Sequence, residues 1–421
     1  MEVIVTDHHT LSPDNAPFKY SAFINPQRPD CEYDKCISGC AVAYLLCLSV
    51  ADKLNKNRNS DEMQYMLSLA GLTTISDSMK LDSITNRALV RTALNIVNTQ
   101  RSKNWNRLKP DPLVAADYKT FGFQIAPVIN SASRMGDSKA GLYPLILKEG
   151  KDILEATDKV LNLNSKRKAL QKELFDLARD MQMIDTTSKY TVVQVVNKGL
   201  GIQGIISSMF SNSEMKPSMV FYNDSKNGLL QGSGRSARGV NLLEILRDIE
   251  KRYPNDVVKC GGHKEAAGFT IKDTFLNTFK KEFDDLVCVA LNFDSNTTDL
   301  EVKHSVDLEV DTIDYSLYKS VQLLSPYGQG WEEPVFITCF KLLKFNVYNR
   351  AKSTDIYTLT LIDGQGIQLS VTYFSDGNSN IELENDMYID IIYKVKYNPV
   401  FDKNIAMDVL DIRESTKVVK F

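Results

Sequence analysis

Residues 2–9 read EVIVTDHH, and the reading of this stretch decides the architecture around it. Val3, Ile4 and Val5 are contiguous and apolar, the pattern of a buried strand, and the run stops at Asp7. In an open α/β sheet, ligand sites form outside the carboxyl ends of parallel strands, so a carboxylate followed by His8 and His9 stands at a chemically useful place. A neutral imidazole offers one lone pair to a divalent ion, and a neighbouring carboxylate can fix its tautomer. The bland alternative is a solvent-facing loop that happens to contain histidines, and the tripeptide alone does not separate the two. Either way, one strand end supplies too few carboxylates for a metal that cuts phosphodiesters.

Helical patterns follow in GCAVAYLLCLSVADKL, MQYMLSLAGLTTI and NRALVRTALNIVN, which makes the first region an α/β unit. LTTISDSMKL places Asp77 at the end of an apolar run, where it serves either as a helix cap or as a second carboxylate for the ion at His8. Cys36, Cys40 and Cys47 fall at helical spacing in one apolar segment and read as buried thiols of a core helix rather than as a metal cluster. With seven cysteines and no repeated CxxC pair, no disulfide framework is expected. Pro and charge in LKPDPLVAAD close the region, and FGFQIAPVINSASRMG reads as a further loop.

From Ile153 to Met181 the apolar residues recur at steps of three and four, interrupted by Arg167 alone. That is a long amphipathic helix, read as a connector between domains with a dimerising coiled coil as the alternative. Beyond it come the strands YTVVQVV and PSMVFYND, a Gly-rich KGLGIQGIISSMF, a GSGRSARG loop, the helix NLLEILRDIEKRY and the strand GFTI, a second α/β domain. Ser233, Arg235 and Ser236 among glycines suit phosphate, against the alternative of a flexible turn. Gly262 and His263 sit on a tight turn where the backbone can approach a ligand closely. The last stretch alternates with period two in SVDLEV, KLLKFNVY, DIYTLTLI, IQLSVTYF, YIDIIYKVKY and AMDVLDI, with turns at Asp363-Gly364 and near Asn398-Pro399, so a small β-barrel is expected.

The chain has 421 residues, 43% hydrophobic and 24% charged, the profile of a soluble globular protein with two to four domains. A net charge of -3 excludes a uniformly basic surface but not a local Lys/Arg groove. Neither a membrane span nor a signal peptide is evident, which points to the cytoplasm.

Taken in order, DHH, NPQRPDCEYDKCISGCAVAYLL, TTISD with Asn86-Arg87 downstream, INSASRMGD, LNLNSKRKALQKEL, GSGRSARGVNLLEIL, GGHKEAAGF and LLSPYGQGWEEPVF resemble the RecJ family of DHH phosphoesterases. The resemblance runs from the first residues to about residue 415 and implies a four-part chain. Residues 1–148 would be an incomplete parallel-sheet DHH domain, 149–186 a connecting helix, 187–292 a DHH-associated α/β domain, and 293–421 an OB-like DNA-binding barrel. It implies a 5'-to-3' exonuclease specific for single-stranded DNA, acting in repair and recombination with two Mn2+ or Mg2+ ions, with an active site between the first and third parts.

By residue-level match, His8 and Asp77 would be metal ligands, while Asp7 and His9 would complete the catalytic set. Ser233, Arg235, Ser236, Gly262 and His263 would hold DNA phosphates, Asn130 and Arg134 would line the path, and Tyr327 and Trp331 would bind the strand. The family carries aspartate motifs ahead of Asp-His-His that supply most metal carboxylates. This chain begins after them, so a separate polypeptide or upstream coding sequence is expected to provide them. Single-strand-binding protein is a further implied partner. Departures from the family pattern fall at Thr73, Val128, Ser133 and Lys198-Gly199, and none touches an assigned metal ligand. Two other readings stand beside this one: a non-catalytic DNA-binding or scaffold protein of the same fold, and an oligonucleotide or cyclic-dinucleotide phosphodiesterase.

Overall fold

The computed structural model describes residues 2–11, 19–99, 102–184, 188–224, 227–293, 306–308, 312–351, 354–364, 366, 368–375, 382–397 and 405–415. His304, the residue 186/187 boundary and the Asn398-Pro399 turn lie outside the described residues. The chain forms two compact units: Met1–Arg101 with Val114–Gly122 and Val302–Phe421, and Ser102–Leu113 with Phe123–Glu301.

In the first unit, β1 (Ile4–Thr6) and β2 (Ala22–Ile24) run parallel, Val5 opposite Phe23, and the Asp7 N–H closes the pair on the Ile24 carbonyl at 3.0 Å. Parallel strands are ordinarily covered on both faces, yet Ile4 is 56% exposed, so the expectation of a buried strand is corrected. A two-stranded parallel pair is too small to bury its own faces. Three helices follow: α1 (Gly39–Lys53), α2 (Asp61–Ser76) and α3 (Ile84–Thr99). Ser38 and Ser60 cap the first two by accepting from Ala41 N–H and Met63 N–H. α2 and α3 approach closely because Gly71 has no Cβ; one there would lie 2.2 Å from the Ala93 methyl. The helix begins at Gly39, so Cys36 lies in the preceding turn and not on the helix face expected for it.

The same unit contains the C-terminal sheet, ordered β11 (Gln368–Ser375), β10 (Thr354–Ile362), β9 (Phe336–Ala351), β12 (Tyr388–Tyr397), β13 (Ile405–Glu414), antiparallel throughout. A short β8 (Val306–Asp307) adds in parallel to β9, and α11 (Tyr315–Leu323) packs against the sheet's core. Alternate residues such as Phe340, Leu342, Leu359, Leu361, Ile389 and Ile391 point inward and are wholly buried. Tyr373 of β11 donates to Asp411 of β13 at 3.4 Å, so the two outer strands meet and the sheet curls toward a barrel.

The second unit starts with α4 (Lys103–Leu108), α5 (Ala126–Arg134), α6 (Ser138–Ile146) and the 35-residue α7 (Gly150–Ile184). α5 occupies sequence that reads as loop. Its Ser and Asn content misleads, because Ala126, Val128 and Ala132 share one buried face and Pro127 falls in the first turn, where no intrahelical N–H is needed. The sheet then runs β3 (Val192–Val196), β4 (Ser218–Asp224), β5 (Leu229–Arg235), β7 (Ala266–Lys272), β6 (Val257–Gly262), with only β3 and β4 parallel. Alternation along β4 divides two cores. Met219 and Phe221 pack with the cluster that takes in α9 (Leu242–Arg252) and α10 (Leu276–Phe293), while Val220 packs with that of α7 and α8 (Gln203–Glu214).

GSGR, expected as a loop, lies on β5. Its glycines serve packing: a Cβ at Gly232 would lie 2.6 Å from the Phe221 ring and one at Gly234 2.7 Å from the Met219 methyl. No helix among the described residues is long and apolar enough to cross a membrane.

Candidate active site

The first unit gathers Asp7, His8, His9 and Asp77 through backbone geometry. Asp7 leaves β1, and its Oδ1 accepts from the His8 N–H at 2.8 Å, the His9 N–H at 3.3 Å and His9 Nδ1 at 2.7 Å. Partial burial works against its ionisation, but these hydrogen bonds outweigh it and hold the carboxyl below its usual range. The contact keeps the His9 proton on Nδ1 and leaves Nε2 with its lone pair. Asn25 Nδ2 donates to the His9 carbonyl at 3.1 Å and fixes the turn.

His8 is mostly buried and points its Nε2 at Asp77 Oδ2, 3.3 Å away. Gly39 makes this possible: a Cβ there would sit 3.2 Å from the His8 ring. Asp77 is the C-cap of α2, its N–H bonded to Thr73 O at 2.9 Å, and its side chain is half exposed. The turn and the helix end therefore bring an imidazole nitrogen and a carboxylate oxygen to one place. They match two coordination positions of one divalent ion. Among the described residues no group of three or more His, Cys, Asp or Glu converges that could hold a metal.

The second unit gathers cations. Asn130 and Arg134 lie one turn apart on α5, and Arg134 Nη1 donates to the Gly201 carbonyl at 3.1 Å. Gly201 sits at φ +98° with no room for a Cβ against the Arg134 backbone. Arg235 ends β5, its guanidinium donating to Gly234 O at 2.8 Å and Ser233 Oγ at 3.3 Å. Gly204 in the first turn of α8 leaves its bare backbone beside both, since a Cβ would lie 2.8 Å from Ser233 Oγ and 3.1 Å from Arg235 Nη2.

Burial lowers the pKa of Arg134, Arg167 and Arg235, and the Arg134 charge lowers those of Arg167 and Arg235 further, so Arg134 is within electrostatic reach of both. All remain cationic at neutral pH. None has an ion-pair partner among the described residues. One buried and two part-buried guanidiniums without counterions among the described residues, near the uncapped start of a helix, have the chemistry to attract an anion.

Arg167 is the member that sequence reading missed. It is 8% exposed, and its guanidinium is aimed by Asn164 Oδ1 (2.8 Å) and Gln171 Oε1 (2.7 Å) on the same helix. Its signal was present in the sequence as the one charge on the apolar stripe of α7.

The remaining expected residues divide. Gly262 lies at φ +145° where a Cβ would come 2.4 Å from Ala266 O, so only glycine fits. It places the exposed His263 at the turn between β6 and β7, with the His263 N–H on Ala266 O at 2.8 Å. Ala266 is paired with Arg235, so His263 and Arg235 share one end of the sheet. Ser236 donates its hydroxyl to Val240 O at 2.5 Å, which makes it a turn-forming residue.

Tyr327 is a correction. It is 3% exposed, with its hydroxyl donating to Val321 O, and it has no face to offer a base. Trp331 is partly exposed, but its indole N–H donates to Leu324 O at 3.0 Å and the Arg87 guanidinium lies 4.5 Å over its ring. Both precede the first long strand of the sheet in sequence, and the Tyr327 side chain packs into the core of that sheet.

These two constellations stand on a fold whose parts match known domains. Residues 188–288 match the DHHA1 domain and residues 305–405 the RecJ OB domain. A DHHA1 domain joined to an OB module defines the class. The chain is similar to RecJ proteins along most of its length. It is 27% identical over 424 residues to the single-stranded-DNA-specific exonuclease RecJ of Haemophilus influenzae, covering 94% of this chain and 71% of that one. With the Bacillus subtilis protein of the same name it shares 28% over 342 residues, 78% of this chain and 40% of that one. Among solved structures, RecJ from Thermus thermophilus in complex with Mn2+ superposes with a TM-score of 0.78 at 23% identity, covering all of this chain and 59% of that one. A crystal structure of exonuclease RecJ bound to manganese gives a TM-score of 0.54 at 26% identity, covering 68% of this chain and 69% of that one.

Proposed function

We propose that this chain acts on single-stranded DNA as a RecJ-type exonuclease, hydrolysing phosphodiesters from the 5' end with the help of Mn2+ or Mg2+ in the cytoplasm. The observation that carries the reading is the meeting of His8 Nε2 and Asp77 Oδ2 at 3.3 Å. His8 and Asp77 would hold one ion, and the ion, when bound, would supply Lewis-acid activation of water and phosphate. Asp7, hydrogen-bonded to His9 Nδ1 at 2.7 Å, would orient His9 toward the scissile group, and Arg134, Arg235, Ser233 and His263 would hold phosphates of the strand. The proposed parts are a DHH remainder over residues 1–148, the connecting helix over 149–186, the DHH-associated domain over 187–292 and the OB-like domain over 293–421.

Two ligands do not make an ion site that normally takes about six oxygens or nitrogens. The proposal therefore includes a further polypeptide segment bearing carboxylates, of the kind the family resemblance places ahead of Asp-His-His, and β1 with its exposed Ile4 is the natural place for it to pair. The ligand shortfall also favours a second reading, a DNA-binding protein of the same fold that does not cut.

One experiment separates the two: 5'-labelled single-stranded DNA with Mn2+ is offered to the chain alone, then to the chain mixed with such a segment. Nucleotide release only in the mixture supports the nuclease. Binding without release in both supports the second reading, and full activity of the chain alone would refute the ligand count. Offering dinucleotides in the same assay tests the phosphodiesterase alternative.

A further inference from the structure

We propose that the segment Pro326–Trp331 is a positioning element for the Asp77 carboxylate rather than a contact for DNA; the inference rests on reading Asp77 and His8 as metal ligands. After Asp77 the chain turns sharply through Ser78 at φ +53°, with the Met79 N–H on Thr74 O at 3.0 Å. The Ser78 N–H also closes on Ile75 O at 3.1 Å, and beyond Met79 the chain is held from outside the turn.

The restraint comes from the C-terminal segment. The Leu81 N–H donates to Gln329 O at 2.7 Å, and the wholly buried Leu81 side chain lies so close to Gly328 that a Cβ there would be 2.9 Å away. Gly330, at φ +74°, passes so near the Asp82 carboxylate that a Cβ there would lie only 3.1 Å from its carbon. Both glycines are needed for this close approach, one for space and the other for its backbone angle as well.

The segment is itself held from α3. Arg87 donates to Leu324 O at 2.6 Å and Pro326 O at 2.9 Å, while Arg91 donates to Leu323 O at 2.6 Å and Ser325 O at 2.8 Å. Two arginines a turn apart thus grip four successive carbonyls at the C-terminal end of α11, where cations are favoured. Trp331 covers the Arg87 guanidinium, and its N–H is already used.

The far side of the same turn reaches His8. Asn86 Nδ2 donates to Lys80 O at 2.9 Å and to Cys36 O at 2.8 Å, and Cys36 leads directly into Ser38 and Gly39, against which the His8 ring rests. One clamped turn therefore sets both the carboxylate and the seat of the imidazole it faces. The arrangement also explains why Tyr327 is buried and why the partly exposed Trp331 has its indole N–H and one ring face already engaged.

The test compares the unaltered chain with Gly330→Ala, Trp331→Ala and Trp331→Phe in three measurements, each made with the carboxylate-bearing segment of the proposed function added. These are amide hydrogen exchange over residues 77–83, the Mn2+ concentration that half-broadens the His8 ring signals in NMR, and affinity for a single-stranded oligonucleotide without metal. Groups that orient a ligand typically change metal affinity by about 10- to 100-fold, so Gly330→Ala and Trp331→Ala should raise the Mn2+ midpoint by about tenfold. They should speed exchange over 77–83 with the strands β9–β13 still protected and oligonucleotide affinity unchanged, and Trp331→Phe should restore both. Unchanged exchange over 77–83, or lost oligonucleotide affinity at a constant Mn2+ midpoint, overturns the proposal. If Mn2+ leaves the His8 signals of the unaltered chain untouched, the metal reading fails separately, and exchange over 77–83 alone decides whether the segment positions the turn.

Discussion

The two constellations solve opposite electrostatic problems. Around Asp7, His8, His9 and Asp77 the charged groups already have partners: each carboxylate faces an imidazole, and the pairs are 2.7 Å and 3.3 Å long. Around Arg134, Arg167 and Arg235 no ion-pair partner among the described residues balances the charge; burial lowers all three pKa values, and the Arg134 charge lowers those of Arg167 and Arg235 further. The first group has its contacts satisfied with nothing bound, and its proposed task is to hold a cation. The second is costly with nothing bound and gains from any anion that neutralises it. A protein that only needed to be stable would keep neither, and an uncompensated buried arginine least of all.

The largest expected effects test that division directly. Asp77→Asn keeps the size of the side chain and removes the negative charge, so in the completed enzyme Mn2+-dependent cleavage should fall by about 100-fold or more, with metal-free oligonucleotide affinity unchanged. Arg235→Ala should do the reverse: charge-assisted hydrogen bonds contribute about 1.5–3 kcal/mol, or about 10- to 100-fold in affinity for the strand, with the Mn2+ requirement unaltered. Gel-shift titration and initial rates at varied Mn2+ read the two quantities. A single variant that moves both equally would dissolve the distinction.

Arg167 sharpens the comparison with a smaller effect. Arg167→Leu removes the repulsion from Arg134 but leaves Asn164 Oδ1 and Gln171 Oε1 without their donor. The two changes oppose each other, so stability should shift by less than about 1 kcal/mol, since an orphaned acceptor costs about 1–3 kcal/mol and relief of a buried charge returns a similar amount. The rise in Tm on adding a 5'-phosphorylated oligonucleotide should shrink, because the anion then neutralises two cations rather than three. An undiminished rise would place Arg167 outside the anion site.

How much of this was legible in the sequence follows the range of the interactions. Periodicity found α7, α9 and the C-terminal strands because their signals lie within one element. It misread α5, whose Ser and Asn content imitates a loop, and GSGR, whose glycines answer to Phe221 and Met219 on a neighbouring strand. Asp77 looked like a helix cap and is one; that it also faces His8 depends on the return of the chain over some seventy residues, which no local pattern records. Arg167 was visible as an exception on an apolar stripe, and only its neighbours Arg134 and Arg235 turn the exception into a site. Tyr327 shows the converse error, an aromatic residue in a suggestive motif whose hydroxyl and ring are consumed by its own fold.

That residue supplies the smallest predicted effect. Tyr327→Phe removes one buried hydrogen bond, to Val321 O, and should cost about 1 kcal/mol of stability while leaving strand affinity unchanged. Burial pushes the phenols of Tyr327 and Tyr393 in the C-terminal region up to about 12. An unfolded tyrosine titrates near 10, so the folded state holds these protons more tightly. The stability they contribute is fully present below about pH 10 and is lost as pH rises toward 12. Denaturant midpoints measured from pH 8 to 12 should therefore fall only above about pH 10, and less steeply in Tyr327→Phe, which has one such group fewer. A slope identical in the two proteins would mean that Tyr327 is not the buried phenol its position makes it, and would reopen its face as a surface for bases.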